Sequence, residues 1–160
     1  RGTFGRLDVL FNNAGVFPAE DGSPVDTPEE VWEQVIDINL KGVFFCAQSV
    51  LPHMRDRRAG AIVNLSSLAA KTGGVAAAPP YGAAKAGVSA LTVHLAKVMA
   101  PFGVRVNALA PGVIDTDMVR GMASAGHDDL ALTKLFGLGV RLRGVLRQRG
   151  LRAKNDEWCC

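Results

Sequence analysis

Short apolar runs that alternate with long helical segments are the feature that most constrains the fold of this 160-residue chain. Residues 7–11, 61–65 and 104–109 are apolar runs that end in turn-forming residues, which is typical of buried strands. The stretch after Thr27 and residues 81–100 carry apolar side chains at helical spacing. Because parallel strands are joined by crossovers, usually helical, this order predicts an α/β fold with adjacent parallel strands and both helices on one face.

The sequence also predicts where the helices begin and end. Thr27 is a suitable N-cap, Pro28 fits the first helical position, and acidic residues follow. We therefore expect the first helix to begin there and to run to Pro52, with a bend at Gly42. The second helix, 81–100, should follow an irregular loop rich in glycine and proline.

Charge is unevenly distributed along the chain. Of the 18 lysines and arginines, 7 lie in residues 134–160, which hold only 2 of the 15 acidic residues. Residues 128–138 could form a short helix, but 139–154 show no sustained period and are assigned no fold. We predict a domain over residues 1–137 and a basic tail over 138–160, whose composition suggests aberrant coding sequence. A nucleic-acid-binding tail is the alternative, although it lacks a known motif.

Composition disfavours several other classes of protein. Three cysteines, two of them adjacent at the end of the chain, supply neither a disulfide framework nor a four-ligand zinc site. No run approaches the roughly 18 apolar residues of a membrane helix. We therefore expect a cytoplasmic protein with no metal, membrane or nucleic-acid partner. The residues left without a functional role on this basis are Cys46, His53, His94 and His127.

Polar or small residues follow each predicted strand. These segments are Asn12–Gly15, Ser66–Ser67 and Pro111–Thr116. The carboxyl ends of parallel strands face a common crevice, where open α/β sheets bind their ligands. The three segments are therefore expected to line one cleft, although they lie far apart in the sequence.

The order of these motifs resembles the classical short-chain dehydrogenase/reductase family over roughly residues 5–120. Asn12-Asn13-Ala14-Gly15 is similar to its NNAG motif, and Pro111-Gly112 to its PG turn. The other matches are Asn39 to the helix asparagine, Ser67 to the serine, and Tyr81 with Lys85 to the YxxxK motif. The resemblance implies a partial Rossmann-like, doubly wound parallel sheet and NAD- or NADP-dependent hydride transfer on an alcohol or ketone substrate.

The resemblance also implies roles for the matched residues. Tyr81 would exchange a proton with the substrate oxygen, and Lys85, one helical turn away, would favour the phenolate and hydrogen-bond the nicotinamide ribose. Ser67 would hold the substrate oxygen; it is preferred to Ser66 because the second serine of such a pair is the usual one in the family. Asn39 would anchor a water of the proton relay. Asparagine is disfavoured in the middle of a helix, so its presence there without a local gain indicates a function.

Further matches concern the cofactor. Asn12, Ala14 and Gly15 would lie along its adenosine side, while Ile114 and Thr116 would meet the nicotinamide carboxamide. Each match also has a purely structural explanation. Asn12, Ala14 and Gly15 could support the sheet, Ser67 and Thr116 could be ordinary loop and turn residues, and Ile114 could be a lone apolar residue. Tyr81 and Lys85 could be a surface pair, and Asn39 could lie in a kinked helix.

The Gly-rich TGxxxGxG turn, which in the family holds the pyrophosphate at a helix N-terminus, does not occur in these 160 residues. Residues 137–139 are only a chance match. Together with a first residue that is not methionine, this predicts a piece of a longer enzyme, whose preference between NAD and NADP cannot be read here. The two helices resemble those that form the family's homodimer. The alternative is a non-catalytic remnant, and the chain alone is expected neither to bind the cofactor nor to catalyse reduction.

Overall fold

Three parallel strands form the sheet of the computed structural model, which describes residues 5–17, 24–74 and 78–112. The strand order is β1-β2-β3, so that strands consecutive in sequence are also neighbours in the sheet. The strands are β1 (Val9–Asn12), β2 (Gly60–Leu65) and β3 (Val104–Leu109). The predicted α/β class and the adjacent parallel pairing are confirmed.

Helices connect the strands and lie mainly on one face of the sheet. Two of them are joined without a break by a π-helical turn (Asp37–Lys41). The helices are α1 (Glu29–Ile36), α2 (Gly42–Arg57), the short α3 (Ala69–Thr72) and α4 (Pro79–Met99), which is followed by a 3-10 turn (Ala100–Phe102).

The first helical segment differs from the prediction at both ends. It begins at Glu29, because Pro28 is extended and occupies the N-cap position that was expected for Thr27. It also continues through Pro52 and ends only at Arg57. A proline inside a helix removes one backbone hydrogen bond, but the turn beyond it places Met54 fully inside the core. Burial of this large side chain offsets the lost bond.

The hydrophobic core lies between the sheet and the two long helices. Alternate strand residues, such as Leu10, Ile62 and Val106, share one face and pack against α2 and α4. The opposite face is different, since Val9 is 58% exposed and Phe11 is 52% exposed. Both connecting helices therefore lie on the same face, as predicted.

The predicted boundary at residues 137 and 138 and the short helix over 128–138 lie outside the described residues. Both stay predictions.

Candidate active site

Backbone hydrogen bonds join the loops that follow β2 and β3. The amide of Ser66 donates to the carbonyl of Leu109 over 2.7 Å, and the amide of Leu68 donates to the carbonyl of Pro111 over 2.9 Å. Two of the three segments expected to share a cleft are therefore held side by side at the carboxyl edge of the sheet.

Helix α4 presents Tyr81 and Lys85 at this edge. Pro79 and Pro80 open the helix, where a missing backbone N–H costs little, so Tyr81 falls in the first turn. The ammonium nitrogen of Lys85 lies 5.6 Å from the centre of the Tyr81 ring. The same nitrogen donates to the carbonyl oxygen of Leu65 over 2.8 Å, which attaches the helix to the end of β2.

Burial acts on the pKa of both members of this pair. Burial raises the pKa of Tyr81, and a hydrogen bond with the Ser67 side chain lowers it to a smaller extent. Burial also lowers the pKa of Lys85. The expectation that Lys85 favours the phenolate, which followed from the family resemblance, stays a prediction. Removal of the phenol from water is the larger of the two influences on the pKa of Tyr81.

The two adjacent serines have different surroundings. Ser66 is buried, with its hydroxyl oxygen 3.0 Å from the Lys85 carbonyl and 2.8 Å from the hydroxyl of Ser89. Ser67 is only partly buried and reaches Tyr81, while its oxygen also accepts a hydrogen bond from the amide of Ala69 over 3.1 Å. Ser66 thus supports helix α4, and Ser67 is the serine beside the phenol.

Asn39 lies in the π-helical turn and is completely buried. Its side-chain oxygen accepts a hydrogen bond from the amide of Val16 over 2.9 Å, and its nitrogen donates to the carbonyl of Val16 over 2.8 Å. Single π-turns inside helices occur frequently at functional sites. Here the π-turn places the side-chain amide of Asn39 against the loop after β1, where its two hydrogen bonds fix the backbone at Val16. Whether Asn39 also anchors a water stays a prediction.

Gly15 packs tightly against the same asparagine. A Cβ at this position would lie 2.7 Å from the side-chain oxygen of Asn39 and 3.6 Å from the ammonium nitrogen of Lys85. Only a residue without a side chain fits here while the bonds between Asn39 and Val16 are kept. Gly15 therefore lets the loop after β1 approach both the π-turn and Lys85.

Gly15→Ala is therefore expected to destabilise the fold by about 1–3 kcal/mol, the usual cost of overpacking, because the new methyl group would displace the Asn39 amide. Urea unfolding followed by circular dichroism would measure the loss. Gly112→Ala is the matched control, since a Cβ at Gly112 meets nothing within 4 Å. Equal stability of the two variants would contradict the close packing at Gly15.

Asn12 belongs to a buried hydrogen-bond chain beneath the site. Its side-chain nitrogen donates to the oxygen of Asn64 over 2.8 Å, and the nitrogen of Asn64 donates to the Thr92 hydroxyl over 2.9 Å. The chain links β1, β2 and α4. Support of the sheet, which the sequence left open for Asn12, accounts for these contacts, whereas contact with a cofactor stays a prediction. Ala14 is exposed beside it.

Comparison with known proteins identifies the family. A sequence model described as short chain dehydrogenase matches residues 1–126 of the chain. The chain belongs to the short-chain dehydrogenase family. The 3-oxoacyl-[acyl-carrier-protein] reductase of Staphylococcus epidermidis is 46% identical over 127 residues, which are 79% of this chain and 51% of that protein. The chain thus spans about half the length of the curated relatives it matches.

Solved structures of short-chain dehydrogenases agree with this assignment. A 3-oxoacyl-[acyl-carrier protein] reductase with bound NAD from Brucella melitensis matches with a TM-score of 0.66 and 38% identity, over 72% of this chain and 45% of that one. ElxO with NADP bound matches with a TM-score of 0.71 and 37% identity, over 79% of this chain and 50% of that one.

Not every residue predicted from the family pattern can be placed. Ser67, Tyr81 and Lys85 lie together, and Gly15 and Asn39 lie close to Lys85. Ile114 and Thr116 lie outside the described residues. Within the described ranges, no group of three or more His, Cys, Asp or Glu side chains could hold a metal ion.

Two contacts of the site were not anticipated from the sequence. The backbone carbonyl of Leu65 binds Lys85, and backbone acceptors carry no signal in the residue type. The ring of Phe17 packs on Tyr81. An aromatic residue two positions after the Asn12–Gly15 motif was the available signal.

Proposed function

We propose that this chain forms the catalytic and nicotinamide-facing part of an NAD(P)-dependent oxidoreductase that interconverts a ketone and an alcohol. The observation that carries the proposal is the position of Tyr81, which lies one helical turn from Lys85 at the carboxyl edge of the sheet, with its ring centre 5.6 Å from the Lys85 ammonium nitrogen. A protonated phenol beside a hydroxyl and a cation is suited to deliver a proton to a carbonyl oxygen.

Each residue has a distinct task in this proposal. The Ser67 hydroxyl donates to the carbonyl oxygen and orients it, and Tyr81 transfers its phenolic proton to that oxygen as the alcohol forms. Lys85 stabilises the phenolate that remains. An ordinary phenol, with a pKa of about 10, is protonated at neutral pH and so has a proton to donate. A bound nicotinamide supplies or accepts the hydride.

The described residues suit the nicotinamide ribose half of such a cofactor. Gly15, which the resemblance put along the adenosine side, is proposed to lie beside this half instead, because the position of a Cβ on Gly15 is only 3.6 Å from the Lys85 ammonium nitrogen. A ribose hydroxyl could therefore approach the backbone and accept or donate hydrogen bonds there. The relatives with bound NAD and NADP support either dinucleotide.

A 3-oxoacyl thioester is the first substrate to assay, because the S. epidermidis relative is named for its reduction. The experiment uses a grafted reductase, in which the matched region of that relative is replaced by the 127 aligned residues of this chain. We expect thioester-dependent oxidation of NADH or NADPH by the grafted reductase. Failure of the folded graft to oxidise either dinucleotide would favour the alternative, a non-catalytic remnant.

We further propose a homodimer through the outer surfaces of α2 and α4. Phe44, Phe45 and Val98 are exposed on these helices, and a shallow cavity between the helices is lined by Leu51 and Met99, among others.

By length and composition alone, the continuous helical stretch from Glu29 to Arg57 is also apolar enough to cross a membrane. An exposed ion pair in the π-turn, 2.8 Å from Lys41 to Asp37, favours a protein partner over lipid, because charged groups are costly to bury in hydrocarbon.

Light scattering of the grafted reductase is expected to give at least a dimeric mass, because exposed apolar patches of this kind mark interaction surfaces. Phe44→Asp should shift the mass toward the monomer, since it places a charge in that surface. Asp56→Ala, which alters an exposed residue at the end of α2, serves as the control. A monomeric mass of the unmodified graft at assay concentration would contradict the dimer.

A further inference from the structure

An aromatic pair joins the loop after β1 to the start of α4. The ring centres of Phe17 and Tyr81 lie 4.8 Å apart with an interplanar angle of 64°, which is an edge-to-face contact. Aromatic rings prefer this arrangement because the positive ring edge of one meets the negative face of the other. Both residues are half-buried. The pair therefore covers one side of the Tyr81 ring.

The position of Phe17 is itself fixed from within the fold. Both backbone groups of the preceding residue, Val16, are hydrogen-bonded to the buried Asn39 side chain. The direction of the backbone that leads into Phe17 is therefore fixed. Contacts run without a gap from the π-turn through Val16 and Phe17 to Tyr81.

We propose that Phe17 is a positioning residue that holds the Tyr81 ring in place against Ser67 and Lys85. The inference rests on the proposed function, which gives Tyr81 its proton-transfer role. Two side chains contact the Tyr81 ring, Lys85 over its face and Phe17 in an edge-to-face pair, and the hydroxyl of Ser67 acts on the pKa of the phenol. Lys85 is the charged group among these contacts. Phe17 is the contact contributed by the loop after β1, so its loss frees the ring to turn away from Ser67.

The sequence allows a selective measurement of this effect. Tyr81 is the single tyrosine among the 160 residues, so the ultraviolet absorbance of tyrosinate in the chain reports on this phenol alone. Ser67→Ala is expected to raise the pKa of Tyr81, because the Ser67 hydrogen bond lowers it. Phe17→Leu is expected to lower the pKa toward that of a free phenol, because burial is the larger influence and the ring becomes accessible to water.

A double-mutant cycle separates positioning from simple burial. If Phe17 holds the phenol at Ser67, Ser67→Ala should raise the pKa of Tyr81 less in a Phe17→Leu background than in the unmodified chain, since the hydrogen bond is already lost there. Independent effects would add. An equal pKa rise in both backgrounds, or a Phe17→Leu chain that titrates like the unmodified one, would overturn the proposal.

Two further variants complete the test. Phe45→Leu is the matched control, because Phe45 forms a similar edge-to-face pair with Phe44, at 5.4 Å and 61°, on α2; it should leave the titration unchanged. Phe17→Trp retains an aromatic edge and should restore the coupling to Ser67. If Phe17→Leu does not fold, Phe17→Met removes the ring with less loss of volume and carries the same comparison. The titration needs neither cofactor nor turnover, so failure of the proposed activity would not alter its outcome.

Discussion

Tyr81→Phe in the grafted reductase is expected to lower turnover by about 10²- to 10⁴-fold, the contribution typical of a general acid or base. Phenylalanine keeps the ring and its edge-to-face contact with Phe17 but has no proton to give. The dissociation constant of the dinucleotide should remain nearly unchanged, because the loss affects the chemical step. Steady-state kinetics and fluorescence titration with NADPH would measure the two quantities.

Trp32→Leu provides a control for this variant, since it alters an exposed aromatic residue of α1 outside both the proposed proton-transfer groups and the proposed dimer surface. It should retain turnover close to that of the unmodified graft. Turnover of Tyr81→Phe at the unmodified level would show that Tyr81 is not the proton donor.

The second large effect concerns the 160-residue chain by itself, which is expected to show no saturable binding of NADH or NADPH. The reason is that the sequence has no TGxxxGxG turn, and the backbone amides of such a turn bind the pyrophosphate. The residues near Lys85 suit only the nicotinamide ribose half. Isothermal titration calorimetry of the chain and of the grafted reductase would make the comparison, with binding expected for the graft alone. Micromolar binding by the chain would contradict this account.

Secondary structure was predictable where local pattern and tertiary packing agree. The third strand was predicted and found over residues 104–109, and the long second helix was predicted within two residues of its observed ends. Both segments have clear periodicity and are followed by glycine or proline. The passage of α2 through Pro52 was not predictable, because it depends on burial of Met54 against elements that are distant in sequence.

The sequence predicted which residues belong to the candidate site better than it predicted what those residues contact. The sequence singled out Asn39 because an asparagine inside a helix breaks a propensity rule, but a π-turn and a pair of bonds to Val16 depend on tertiary structure. The spacing of Lys85 from Tyr81 predicted an influence of charge on the pKa of the phenol, but it did not reveal that burial raises this pKa. Burial of a side chain depends on neighbours that local spacing does not reveal.

Transfer of deuterium tests most directly whether this chain contains the catalytic centre of a hydride-transfer enzyme. The grafted reductase would be incubated with a 3-oxoacyl thioester and NADPH or NADH that carries deuterium at the transferable C4 position. The account predicts that the alcohol product carries deuterium on its carbinol carbon, and that Tyr81→Phe forms this product about 10²- to 10⁴-fold more slowly. An alcohol product without deuterium, or labelled product formed equally fast by the Tyr81→Phe variant, would contradict it.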